Sequence, residues 1–156
     1  MTATAPFYLN RDNMLFIVKH TPLVSIDLII RNPHSEIFLG FRTNRPAKNF
    51  WFVPGGRICK NERINDAMMR ISSNEFGVVL GMNQVFFKGV YEHLYEDDFT
   101  GENQVGTHYV VLAYEAELDL SMENLPMDQH SQYKWFSVND ILRNETVHEN
   151  TKAYFR

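Results

Sequence analysis

Cysteine is almost absent from this chain, with Cys59 the only one in 156 residues. An intramolecular disulfide is therefore excluded, and a reducing cytoplasmic compartment is the natural expectation. Long hydrophobic runs are missing as well. No apolar stretch approaches the roughly 18 residues that suggest a membrane span, and the first residues lack a basic segment leading into an apolar one. Neither a membrane partner nor export is expected. There is no excess of positive charge: 15 Lys and Arg stand against 19 Asp and Glu, a net charge of −4. That balance removes any general attraction to a nucleic-acid backbone, although a few local arginines could still grip a nucleotide. Repeats, low-complexity tracts and linker-like shifts in composition are absent too. We therefore read residues 1–156 as one domain, long enough to bury a sizeable core.

What is present reads as alternating strands and helices. Met14, Leu15, Ile17 and Val18 suit a short helix over Asn10–Lys19, capped by Asn10 or Asp12 and stopped at Thr21–Pro22. Leu23–Ile30 reads as a strand interrupted by Ser25 and Asp27, and Glu36–Arg42 as its hairpin partner across the turn Asn32–Ser35. Phe50–Val53 is a short strand ending at Pro54–Gly55–Gly56. Helical spacing of Ile64, Met68 and Ile71 predicts a helix over Glu62–Phe76 that stops at Gly77. Val85–Glu96 and Thr107–Leu118 are β-rich runs around the polar loop Asp97–Gly106. Tyr133–Ser137 is a further strand, Ser137 or Asn139 caps a short helix to Arg143, and the last dozen residues look helical. Strands around one central helix and a terminal helix predict an α/β sandwich with a mixed sheet.

The chemistry concentrates after Val53. Gly56 is followed after five residues by Glu62 and after seven more by Arg70, with Glu75, Gly77 and Val78 in register. This spacing resembles a Nudix box. Glycines let backbone approach phosphate or metal closely, and a loop carbonyl can serve as a hard oxygen ligand. Positions 71, 74 and 75 share one helix face, where most of that family carries carboxylates for several divalent ions. Here they are Ile71, Asn74 and Glu75. One glutamate cannot organise a multi-metal cluster that activates water against phosphorus, so the base must come from outside the helix.

The surrounding segments narrow the resemblance. Thr21–Ser25, Gly40–Ala47, Trp51–Arg57, Thr107–Leu112 and Asp128–His130 together look like the GDP-mannose mannosyl hydrolase branch of the Nudix superfamily, which has the same thinned carboxylate face. The likeness runs from about Tyr8 to Phe155 and implies the Nudix α/β/α sandwich with a central mixed β-sheet. It also implies an unusual reaction, in which water attacks the anomeric carbon of a GDP-hexose and the C–O bond breaks with inversion. By the same resemblance, one Mg2+ per subunit, replaceable by Mn2+, is held by the carbonyl of Gly55, the carboxylate of Glu75 and the side-chain oxygen of Gln129. His130 matches the general base, and an imidazole of ordinary pKa near 6.5 is neutral at cytoplasmic pH. Arg42 and Arg57 are candidates for the diphosphate, with Tyr109 adding a phenolic hydrogen bond. Asp27 pairs with Arg42 on the neighbouring strand or reaches the sugar. His93 matches a sugar-side or phosphate-side residue, with a structural role the alternative. Tyr8 and Leu9 fall where the family holds the nucleotide, and Tyr8 is suited to stacking on guanine. Arg45 falls outside the set, and a homodimer is implied by the resemblance alone.

Two other readings remain open on the residues. A Nudix pyrophosphatase would cut P–O–P instead, and a binding module on the same fold would not cut at all.

Overall fold

A computed structural model describes residues 8–102 and 105–156. Helix α1 (Arg11–His20) begins at Asn10, whose side chain accepts from the Asn13 amide at 2.9 Å. That bond satisfies one of the free N–H groups of the first turn. The chain then enters β1 (Leu23–Arg31), β2 (Ile37–Arg42), β3 (Trp51–Phe52) and β4 (Gly55–Arg57). Helix α2 (Ile64–Phe76) follows, then β5 (Phe86–Tyr95), β6 (Thr107–Glu117) and β7 (His130–Phe136), and finally α3 (Val138–Arg143) and α4 (Glu149–Lys152). None of the described helices is long and apolar enough to cross a membrane.

The seven strands form one mixed sheet in the order β3-β2-β1-β6-β5, with β4 added to β1 and β7 to β2. Only β1 and β6 run parallel, in continuous register from Leu23 opposite Tyr109 to Arg31 opposite Glu117. Both faces of β1 are covered, which explains its nearly unbroken apolar sequence. Ile26, Leu28 and Ile30 pack with Met68, Ile71 and Phe76 of α2. Ile29 joins Leu39, Phe52, Phe136, Ile141 and Tyr154 on the opposite face, beneath α3 and α4. Each fully buried aliphatic side chain contributes roughly 1.5–3 kcal/mol. The α/β/α sandwich with a central mixed sheet is thus the observed architecture.

Several boundaries differ from the sequence expectation. Gly55–Arg57 is a strand rather than a loop, because Ser25, Ile26 and Asp27 offer β1 edge partners to Arg57, Gly56 and Gly55. That displaces the expected hairpin: β1 meets β2 only at Arg31 and Ile37, while β2 takes β7 as its long antiparallel partner. The same pairing extends β7 back from Tyr133 to His130. The C-terminal helix is shorter than a dozen residues, starting at Glu149 and passing into a 3-10 turn, Ala153–Phe155.

Helix α2 ends at Gly77, in left-handed conformation at φ 75° with its N–H bonded to Ser73 O. A Cβ there would meet nothing within 4 Å, so backbone strain alone opposes a side chain. Gly77→Ala should lower stability by about 1–2 kcal/mol, read as a lower urea midpoint with unchanged reaction products.

Candidate functional site

The main cavity, about 560 Å3, is of a size that accommodates a nucleotide. The glycine-rich strand β4, the end of β2 and the pocket-facing residues of β5 and β6 build its walls. Of the residues singled out from sequence, Tyr8, Asp27, Arg42, Gly55, Arg57, His93, Tyr109 and Gln129 all line it. Leu9 does not. Glu75 and His130 line a smaller recess of about 430 Å3 instead, with Asp128, Tyr133 and Pro126. Asn74 and Gln129 border both spaces, so the recess adjoins the main cavity there.

The Glu62–Arg70 pair braces the loop between β4 and α2. Arg70 donates to both oxygens of Glu62 at 2.6 and 2.9 Å and to the Arg57 carbonyl at 2.8 Å, while Glu62 also accepts the Cys59 amide at 2.8 Å. Burial alone would raise the Glu62 pKa, but the bonds from Arg70 and Cys59 outweigh it and bring it below the ordinary value. These side chains hold the backbone that carries Arg57 into the cavity.

On the helix itself, Ile71 points into the core, where a Cβ on Gly56 would lie 3.1 Å from its Cγ1. Asn74 is exposed, and Glu75 is 3% exposed. The Oε2 of Glu75 is buried without a hydrogen-bond partner. Burial pushes its pKa up to about 7 against the opposing pull of Arg42 and the Gly55 backbone. Among the described residues, no three His, Cys, Asp or Glu side chains gather where they could share a metal ion.

His130 is a buried residue of the sheet. It opens β7 opposite Arg42 and is 1% exposed. Its ring packs on Gly40, where a Cβ would sit 2.6 Å from Cγ and 2.9 Å from Nε2. Nδ1 lies 3.7 Å from Glu75 Oε2 and 3.5 Å from the Tyr133 hydroxyl, and Nε2 is buried without a partner. Its pKa does not keep the ordinary value. Burial, with Arg42 adding to it, pushes the imidazole down to about 4, so it stays neutral at neutral pH and is a weaker base.

Of the two roles expected for Asp27, the pairing with Arg42 is not made: its hydrogen bond goes to Tyr154, while the residue does line the cavity. The Tyr154 hydroxyl donates to Asp27 Oδ2 at 2.6 Å and lies 3.1 Å from His93 Nε2. Burial raises Asp27 to about 7 despite the Tyr154 bond and the Arg42 charge. Burial, reinforced by His148, lowers His93 to about 4. Nothing in the local pattern around Tyr154 marked it, because the contact spans 127 positions. Arg45, set aside on sequence, lines the cavity and pairs with Asp97 at 3.0 Å.

A loop and helix braced in this way, laid on a mixed sheet beside a nucleotide-sized cavity, define a Nudix site. The chain belongs to the NUDIX family, whose domain model matches residues 21–156, and it is a Nudix hydrolase in that broad sense. It is 45% identical over 121 residues to the low-salt glycan biosynthesis protein Agl8 of Haloferax volcanii, covering 77% of this chain and 74% of that protein. It is 23% identical to an RNA pyrophosphohydrolase of Orientia tsutsugamushi over 78% of each chain. Its fold is similar to that of a MutT protein from Methanosarcina mazei Go1, with TM-score 0.67 and 20% identity over 87% of this chain and 92% of the other.

The raised Glu75 pKa has a direct consequence for stability. A folded-state value above the unfolded one gives a contribution that is full below about pH 4.5 and lost as pH rises through about 7. In metal-free protein, Glu75→Gln should therefore raise the thermal midpoint at pH 8 and leave it nearly unchanged at pH 4.5, as followed by circular dichroism.

Proposed function

We propose that this protein hydrolyses GDP-mannose, with GDP-glucose the second candidate, to GDP and free hexose. Water adds to the anomeric carbon with inversion, and the electron pair of the breaking C–O bond goes to the diphosphate. The observation that carries this reading is the α2 face: Ile71 is core, Asn74 is an amide, and Glu75 alone offers a carboxylate. A helix so furnished is poorly suited to the multi-metal attack on phosphorus. The 45% identity to a protein named for glycan biosynthesis supports a sugar-linked substrate.

The residues present fit a single hard cation. Glu75 Oε2 is a buried oxygen with no partner, Gln129 borders the same recess, and the Gly55 N–H lowers the Glu75 pKa, which brings that residue's backbone beside the carboxylate. Oxygen donors of this kind suit Mg2+ or Mn2+. Bound there, the cation would neutralise charge on the diphosphate. Arg42 and Arg57, both on the main cavity, bind the phosphate oxygens with paired N–H donors. Their contacts strengthen as charge builds on the leaving group, which is what accelerates bond cleavage. Tyr109 adds a hydroxyl, and Tyr8 at the cavity edge stacks on the base. His130, held neutral, takes the proton from the attacking water. We take the active form to be a cytoplasmic homodimer that needs neither membrane nor nucleic acid.

A pyrophosphatase is the second reading, favoured by the likeness to the RNA pyrophosphohydrolase. Product analysis in 18O-labelled water separates the two. GDP plus hexose carrying the label is expected from GDP-mannose with Mg2+, and His130→Gln should lower kcat by about a hundredfold or more with little change in GDP affinity. GMP plus sugar 1-phosphate as the main products would sink this reading.

A further inference from the structure

Tyr154 stands behind the cavity rather than on it. It is 3% exposed in the turn Ala153–Phe155, its ring edge-on to Tyr91 at 4.7 Å. Its hydroxyl nevertheless touches Asp27 and His93, two buried groups that do line the cavity. No other side chain is hydrogen-bonded to either of them among the described residues. Asp27 is confined from the other side as well, since a Cβ on Gly55 would collide with its Oδ1 and lie 2.6 Å from Ile26 O. The carboxylate is thus gripped between a C-terminal hydroxyl and the glycine strand.

Hydrogen-bond polarity turns this contact into an assignment. A tyrosine hydroxyl has one proton and two lone pairs, and an ionised carboxylate can only accept. At 2.6 Å the proton goes to Asp27 Oδ2. The same oxygen lies 3.1 Å from His93 Nε2, so that nitrogen must bring its own proton. His93 is buried and held neutral, so it carries one proton only. Nδ1 is then a bare acceptor.

We propose that Tyr154 is a positioning residue of the reaction centre: its hydroxyl orients the Asp27 carboxylate and fixes His93 in the tautomer protonated on Nε2. The kinetic consequence rests on the hydrolysis proposed above, whereas the tautomer and the coupling to Asp27 do not. Asp27 and His93, both lining the cavity, then contribute acceptors rather than donors to that wall, with Nδ1 4.0 Å from Asp27 Oδ2. One hydroxyl from the end of the chain thereby sets the polarity of that wall.

Nitrogen-15 NMR of the histidine side chains in the wild-type protein gives the first test. His93 should show a protonated Nε2 and an unprotonated Nδ1, and the reverse tautomer would overturn the proposal without any variant being made. Tyr154→Phe keeps the ring and removes the hydroxyl. It should lower kcat about tenfold or more, leave KM within about threefold and GDP binding unchanged, and let His93 populate both tautomers. In the Asp27→Asn background the same change should add little further loss, because both act through one carboxylate. A kcat within twofold of wild type, or losses that multiply in full, would also overturn it. If the wild type releases GMP rather than GDP, the reaction assigned above fails. The tautomer and the double-variant comparison, run on whatever turnover is then measured, still decide the role of Tyr154.

Discussion

Arg42 lies where a break in the β2–β7 register, between Phe41 and Arg42, re-aims the strand end toward the cavity. Its guanidinium sits 5.8 Å over the Phe52 ring, and its buried Nε has no hydrogen-bond partner. No salt bridge holds it among the described residues, yet its charge reaches nearly every titratable group nearby. It opposes the rise that burial imposes on Asp27 and on Glu75. It adds to the fall that burial imposes on His130 and His148. In surroundings of low polarity one fixed charge acts over several ångströms, and all four groups, set first by burial, are modulated by it together. Because no carboxylate claims the guanidinium, its donors stay available to an anionic ligand. The site is thus arranged around a cation whose natural partner is a phosphate.

Much of this was legible in the residues. The glycine–glutamate–arginine spacing locates the loop and α2, and the left-handed end of the helix falls on the glycine that marks its stop, Gly77. Asp27, Arg42, Arg57, His93 and Tyr109, each singled out by its residue type and place in the sequence, share one cavity. What stayed hidden has a common cause. The strand at Gly55–Arg57 forms because β1 offers an edge, and glycines in a short run carry no β signal of their own. The His130 environment depends on Gly40, which lies far earlier in the chain. Tyr154 reaches Asp27 across 127 positions. Local pattern reports periodicity and turns; it is silent on pairings made by the fold.

The helix signature divides into two kinds of work. Glu62 and Arg70 are engaged with each other, with the Cys59 amide and with the Arg57 carbonyl, so they fix backbone beside the cavity that Arg70 also lines. Glu75 alone keeps an unclaimed oxygen. Ile71 has joined the core beneath Gly56, which repays the loss of a carboxylate there with buried apolar surface. Scaffold and chemistry have therefore separated within one motif: the frame is kept while its acidic face has thinned.

Gly40 shows how far this dependence extends beyond the motif. A bare Cα at that point on β2 leaves room for the imidazole of the paired strand, and any larger residue would occupy the space of its ring. Positions 40 and 130 are therefore a single steric unit written in two places. A chain that keeps the histidine in this pose must keep the glycine, and one that has lost the histidine is released from it. The presence of a side chain at position 40 is then a mark, readable in any relative's sequence, that the imidazole is absent or sits elsewhere.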